Sequence, residues 1–179
     1  MNSLWIRFGV GKNVKYIACH EIASSLTPVI CKGLTFFHAW TGVDTVSSFE
    51  RHGKKTAWST WLATPEAGSV FEKLSKPNSI LTPEDLKILE AFIIKWYCKS
   101  MTADSLDDAR KCMVFERGTQ PHQLPPTSAA VKHHTLRGQY QAGQIWGRSL
   151  QRMQNLPDPC EYGWKQNEDR SYSPVWTTL

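Results

Sequence analysis

The sequence predicts a mostly α-helical fold with a short N-terminal β segment. Three observations carry this. Apolar residues recur at helical spacing in separate windows, as at Leu86, Leu89, Phe92, Ile93, Trp96 and Tyr97. Thr82-Pro83-Glu84-Asp85 is a helix start in which threonine caps, proline suits the first helical position and two acids complement the helix dipole. An apolar run with strand character stands near the N-terminus, at residues 4–10. With 41% hydrophobic residues and eight tryptophans the chain has enough apolar surface for a packed interior, which excludes wholesale disorder.

Taken in order, the strand at residues 4–10 is followed by a turn at Gly11-Lys12-Asn13 and a second extended piece at Tyr16-Ile17. The first strand has nothing before it to pair with, so a chain entered partway through a domain is expected. Cys19, Ile22, Ala23 and Leu26 predict a helix over 20–26, stopped by Pro28, with its apolar side toward a core. Leu34, Phe36, Phe37, Ala39 and Trp40 predict a buried helix that ends on Gly42, with Asp44 just beyond it and His38 as a core histidine. Gly53-Lys54-Lys55-Thr56 opens the next helix, whose first amides and two lysines suit an anion.

The helix begun at Thr82 should run over 83–99 and pack inward. A proline-rich loop at 120–126 precedes Thr127, which caps a helix carrying Val131, Leu136, Tyr140, Ile145, Trp146 and Leu150, weakened by Gly138, Gly143 and Gly147. That helix bears Lys132, His133, His134, Arg137, Arg148 and Arg152 and no carboxylate. After Leu156 an irregular tail is expected, anchored by Trp164 and Trp176. The chain thus divides into 1–76, a helical extension over 77–155, and the tail over 156–179.

Charge is uneven along these segments. Lys and Arg outnumber Asp and Glu nine to five over 1–76 and five to none over 117–155, whereas 77–116 is acidic, five against seven. Two basic blocks around an acidic helix suit a phosphate-facing surface, and a solvated basic face accounts for the same charges. The five cysteines are odd in number and never form a CxxC pair, which argues against a disulfide framework or a zinc site and for reduced intracellular thiols. No apolar stretch is long enough for a signal peptide or a membrane span, so a soluble, unsecreted protein with no membrane partner is expected.

The motifs at 37–57 resemble a known family. Phe37-His38-Ala39-Trp40-Thr41-Gly42-Val43-Asp44-Thr45-Val46-Ser47-Ser48-Phe49, followed by Gly53-Lys54-Lys55-Thr56-Ala57, resembles the hydrophobic helix, Gly-x-Asp element and helix-two-turn-helix of PIN/flap-endonuclease-like (XPG-like) nucleases. Over its whole length the chain is similar to PIN-like proteins of marine invertebrates and fish linked to mobile elements, through the stretch at 36–45, Leu124-Pro125-Pro126-Thr127 and the terminal Pro174-Val175-Trp176. The resemblance implies the distal half of an α/β domain, with the acidic residues that precede this half and a Cys-rich stretch that follows it lying outside the sequence.

It also implies roles. Asp44 matches a metal-ligand position, and Gly53, Lys54, Lys55 and Thr56 match the backbone-binding turn for DNA. One glycine of the family's Gly-x-Gly turn is replaced, since this chain reads Arg51-His52-Gly53, and Glu50 adds a repulsive charge. Two-metal cleavage needs several converging carboxylates, whereas Asp44 is the one acid that matches the motif. The expectation is a catalytically incomplete module that binds the DNA backbone without sequence specificity, with Lys132, Arg137 and Arg148 as a second basic surface. Mg²⁺ enters only if missing sequence or a partner chain completes a nuclease site. A non-catalytic interaction or structural protein, self-associating through an exposed strand edge, is the remaining alternative. An intracellular location is expected, nuclear if DNA is the partner.

Overall fold

The computed structural model describes residues 3–152 and 155–177. Strands β1 (Trp5–Phe8) and β2 (Lys15–Ala18) form an antiparallel hairpin, Trp5 opposite Ala18 and Phe8 opposite Lys15. The N-terminal run therefore has a partner, contrary to the expectation of an unpaired strand. Gly9 and Gly11, both at positive φ, fold the chain back on itself. Helix α1 (Cys19–Ser25) follows, and none of its residues is buried; the expected core behind Ile22 is absent because a hairpin of two strands offers no covered face.

Helix α2 (Pro28–Trp40) is the centre of the fold. Thr27 caps it by accepting from the Ile30 amide, and Pro28, expected to stop a helix, also starts one. Phe36, Phe37, Ala39 and Trp40 are buried, whereas His38 is exposed rather than in the core, because it lies on the opposite side of the helix and rests on Trp146. Two tight turns, closed at Val43–Val46 and Phe49–His52, lead to α3 (Lys54–Ala63). Gly42, at φ 106°, permits the first, since a Cβ there would stand 2.6 Å from Ser48 Cβ.

Helix α4 (Glu66–Leu74) lays Ala67, Val70, Phe71 and Leu74 along α2. Helix α5 (Pro83–Tyr97) begins as predicted: the Thr82 hydroxyl accepts from the Asp85 amide, and the Asp85 carboxylate accepts from the Thr82 amide at 2.8 Å and pairs with Lys73. Helix α6 (Leu106–Arg117) packs on α5 and stops at Gly118 in the left-handed region. Trp40 sits at the hub of an aromatic core, with the rings of Phe36, Phe49, Phe71 and Phe92 between 5.1 and 6.0 Å from its own. This core runs from Phe36 to Ala142 and so draws on residues both before and after position 76.

Helix α7 (Ser128–Gln139), capped by Thr127, continues through a π turn at Tyr140–Ile145 and a short 3-10 turn at Trp146–Arg148, leaving Leu150 fully exposed. Its glycines, expected to weaken it, are points of close approach. A Cβ on Gly143 would stand 2.8 Å from the Lys76 carbonyl oxygen, and one on Gly147 would be 3.2 Å from that of Ser75. The tail is not wholly irregular: β3 (Trp164–Gln166) and β4 (Tyr172–Pro174) form a second hairpin, in contact with α7 through the short turn at Pro159–Tyr162 that precedes it.

Candidate functional site

The two turns after α2 form one wall of a groove whose floor is α7 and whose other wall is the tail hairpin. Asp44 and Thr45 are the central residues of the first turn, and both are exposed. Thr45 donates to Gln141 Oε1 at 2.6 Å, tying the turn to the floor. The Asp44 carboxylate projects without a neighbouring acid. Among the described residues no three His, Cys, Asp or Glu side chains converge on a point that would hold a metal ion, so the side chains present do not fit a Mg²⁺ site.

The second turn presents Glu50 and Arg51, with Arg51 at φ 58°, the left-handed region where the missing glycine of the Gly-x-Gly pattern would be at ease. It delivers the chain to Gly53, the N-cap of α3. No side chain caps this end, no acid lies in its first turn, and a Cβ on Gly53 would meet nothing within 4 Å. The Thr56 amide turns back to the Gly53 carbonyl oxygen, and the Lys54 and Lys55 amides have no partner among the described residues, with Lys55 and Arg51 exposed beside them.

The other two residues assigned to this turn are occupied elsewhere. Lys54 Nζ donates to the His38 carbonyl oxygen at 2.6 Å and to Thr41 Oγ1 at 2.9 Å, so it closes the C-terminus of α2 instead of reaching outward. Partial burial lowers its pKa, and its charge in turn lowers that of His38, which burial already depresses. Thr56 Oγ1 donates to the Gly53 carbonyl oxygen and accepts from Trp96 Nε1, both at 2.9 Å, which fixes α3 on α5.

The second basic surface is dispersed as well. Lys132 is exposed, as expected of it. Arg148 bonds Asn78 Oδ1, the Asn155 carbonyl oxygen and Gln144 Oε1, all within the chain. Arg137 is 5% exposed and lies under the tail: Nη1 donates to the carbonyl oxygens of Gly163 and Val175, and its guanidinium stands 5.9 Å from the ring centroids of both Trp164 and Trp176. The helix face expected to be outward is buried there because the tail covers it.

Sequence reasoning missed a third feature. His134, buried at the edge of a cleft, places Nε2 2.7 Å from the Trp40 carbonyl oxygen and Nδ1 3.1 Å from Ser47 Oγ. A carbonyl only accepts, so Nε2 carries the proton and Nδ1 accepts from the Ser47 hydroxyl. Burial pushes the His134 pKa down to about 4. That makes the ring a poor proton acceptor for an activated serine, since a general base works best with a pKa near the working pH. The pair locks the turns to α7 across 87 positions of sequence, a separation that no local spacing reveals.

Comparison of the chain with protein-family models, with curated proteins and with solved structures finds no match. Among the described residues no helix is long and apolar enough to cross a membrane.

Proposed function

We propose that the chain is a non-catalytic helical module that holds the phosphate backbone of DNA weakly and without sequence preference at the N-terminal end of α3. The observation that carries this reading is the start of α3, which no side chain caps and where the Lys54 and Lys55 amides, the helix dipole and the exposed Lys55 and Arg51 favour an anion together. The formal net charge of +5 acts in the same direction. Helix α2, two tight turns and α3 follow one another in the order of the PIN/flap-endonuclease-like motif, from which we infer descent from such a domain. Asp44 stands alone in that arrangement, and the proposal gives it no chemistry. Action inside the cell, in the nucleus, goes with five unpaired thiols and a DNA partner.

The reading is tested by anisotropy titration of a labelled duplex. Lys55→Ala and Arg51→Ala should each weaken binding uniformly across sequences and lower the salt slope by about 1. Lys54→Ala should lower thermal stability and leave the salt slope near that of the parent. Equal affinities for the parent and for Lys55→Ala would contradict the assignment of the site.

A second reading, self-association, is favoured by one observation. The first hairpin leaves Trp5, Ile6, Phe8 and Tyr16 between 48% and 66% exposed, with both outer strand edges open. Pairing of this hairpin with that of a second copy predicts a concentration-dependent dimer in sedimentation that Ile6→Lys abolishes.

A further inference from the structure

Arg137 is a buried cation without a counter-ion. No carboxylate lies within ion-pair distance of it among the described residues, and beyond the two carbonyl oxygens on Nη1 its guanidinium makes no further hydrogen bond there. The donors Nε and Nη2 have no partner among the described residues, and neither is fully closed off from solvent, so both remain open to a ligand. Burying a guanidinium is costly unless its charge and its donors are satisfied. The two indoles offset part of that cost, and they also hold the side chain in one position.

The residue borders a cleft of about 250 Å³ between the second turn and the tail, whose apolar walls come from Phe49, Tyr97, Leu124 and Trp176. Ser47 also faces it, but its proton is committed to His134, so it presents lone pairs and not a donor. The cleft therefore offers one fixed cation and a largely apolar body. Glu50 at the rim of the cleft and Asp44 on the neighbouring turn oppose a second negative charge.

We propose that this cleft binds a small monocarboxylate with an apolar body, its carboxylate seated on the open donors of Arg137 and its body against Trp176 and Phe49. A planar carboxylate matches the guanidinium fork in two parallel hydrogen bonds. A phosphate dianion would bring a second charge that no further cation in the cleft neutralises. The proposal is independent of the α3 site.

The test uses the full chain, with binding read by tryptophan fluorescence and by thermal shift. Phenylacetate is the probe, and phenylacetamide, inorganic phosphate, and a tripeptide ending in phenylalanine with a free or an amidated C-terminus are the comparison arms. Phenylacetate should bind saturably and raise the melting temperature, with phenylacetamide and phosphate inert. Arg137→Lys, which keeps the charge and loses the fork, should weaken binding about tenfold. Because Arg137 also holds the tail, Trp176→Ala, which removes a ring 71% exposed and leaves Arg137 its hydrogen bonds and the Trp164 contact, serves as a second variant and should weaken phenylacetate as well. Tighter binding of the free-carboxylate peptide than of phenylacetate would support the same chemistry with a peptide C-terminus as its source. Equal binding of phenylacetamide, preferential binding of phosphate, or no saturable binding of phenylacetate would each overturn the proposal.

Discussion

At the scale of single residues, buried charge chemistry and backbone strain set what can be measured. The unfolded chain protonates His134 near the ordinary pKa of 6.5, whereas burial, with Arg137 nearby adding a smaller push, holds the folded ring neutral down to about 4. Between those values the unfolded state binds the extra proton, so stability should fall as the pH drops from 6.5 toward 4, by about 3 kcal/mol at most. His38 and His133, whose pKa values burial also lowers, act in the same direction. Urea midpoints across this window measure the loss, and the His134 ring resonances should stay unshifted between pH 7 and pH 5. A ring that titrates near 6.5 would contradict its burial. At Arg51, φ 58° costs an L-residue what glycine avoids, so Arg51→Gly should stabilise the fold by about 1 kcal/mol while weakening DNA binding, and Arg51→Ala should weaken binding with no such gain.

At the scale of elements, what was legible in the sequence depended on how much of the signal is local. The start of α5 and the cap of α7 could be read because a capping threonine and its partners lie within three residues. The missing glycine of the second turn was equally plain, and the structure places a strained residue there. Helices α4 and α6 are absent from the sequence reading although their apolar residues keep helical spacing, Ala67, Val70, Phe71 and Leu74 in α4 and Leu106, Ala109 and Met113 in α6; each is a short period set among charged residues. For Gly138, Gly143 and Gly147 the sequence shows only a helix-propensity cost; their close approaches, Gly138 to Trp40 of α2 and Gly143 and Gly147 to the end of α4 and the residues just after it, join distant segments. Gly143→Ala tests this role. Its Cβ would collide with a carbonyl, and a loss of about 1–3 kcal/mol in chemical denaturation is expected, more than helix propensity alone would predict for that exchange. The candidate site was half legible. Gly53, Lys55 and Lys132 are exposed as expected, whereas Lys54, Arg137 and Arg148 are drawn into contacts with segments that no spacing rule connects to them.

At the scale of the whole molecule, the chain is an aromatic helical core with two hairpin appendages that differ in how they are held. The tail hairpin is tied to α7 through Arg137, and the first hairpin touches the rest of the chain mainly through α1. Of the basic residues assigned to DNA, Lys55 and Arg51 stand exposed at one helix start and Lys132 on α7, whereas Lys54, Arg137 and Arg148 are drawn into the fold, so the proposed binding is weak and salt-sensitive. It is tested most directly by measuring the affinity for a plain duplex against salt concentration in Mg²⁺, with the same samples run on a gel. The account predicts a linear fall of log affinity with log salt, with a slope of about −2 for two phosphate contacts, and an intact duplex. Affinity indifferent to salt, or cleavage that Asp44→Ala removes, would contradict it.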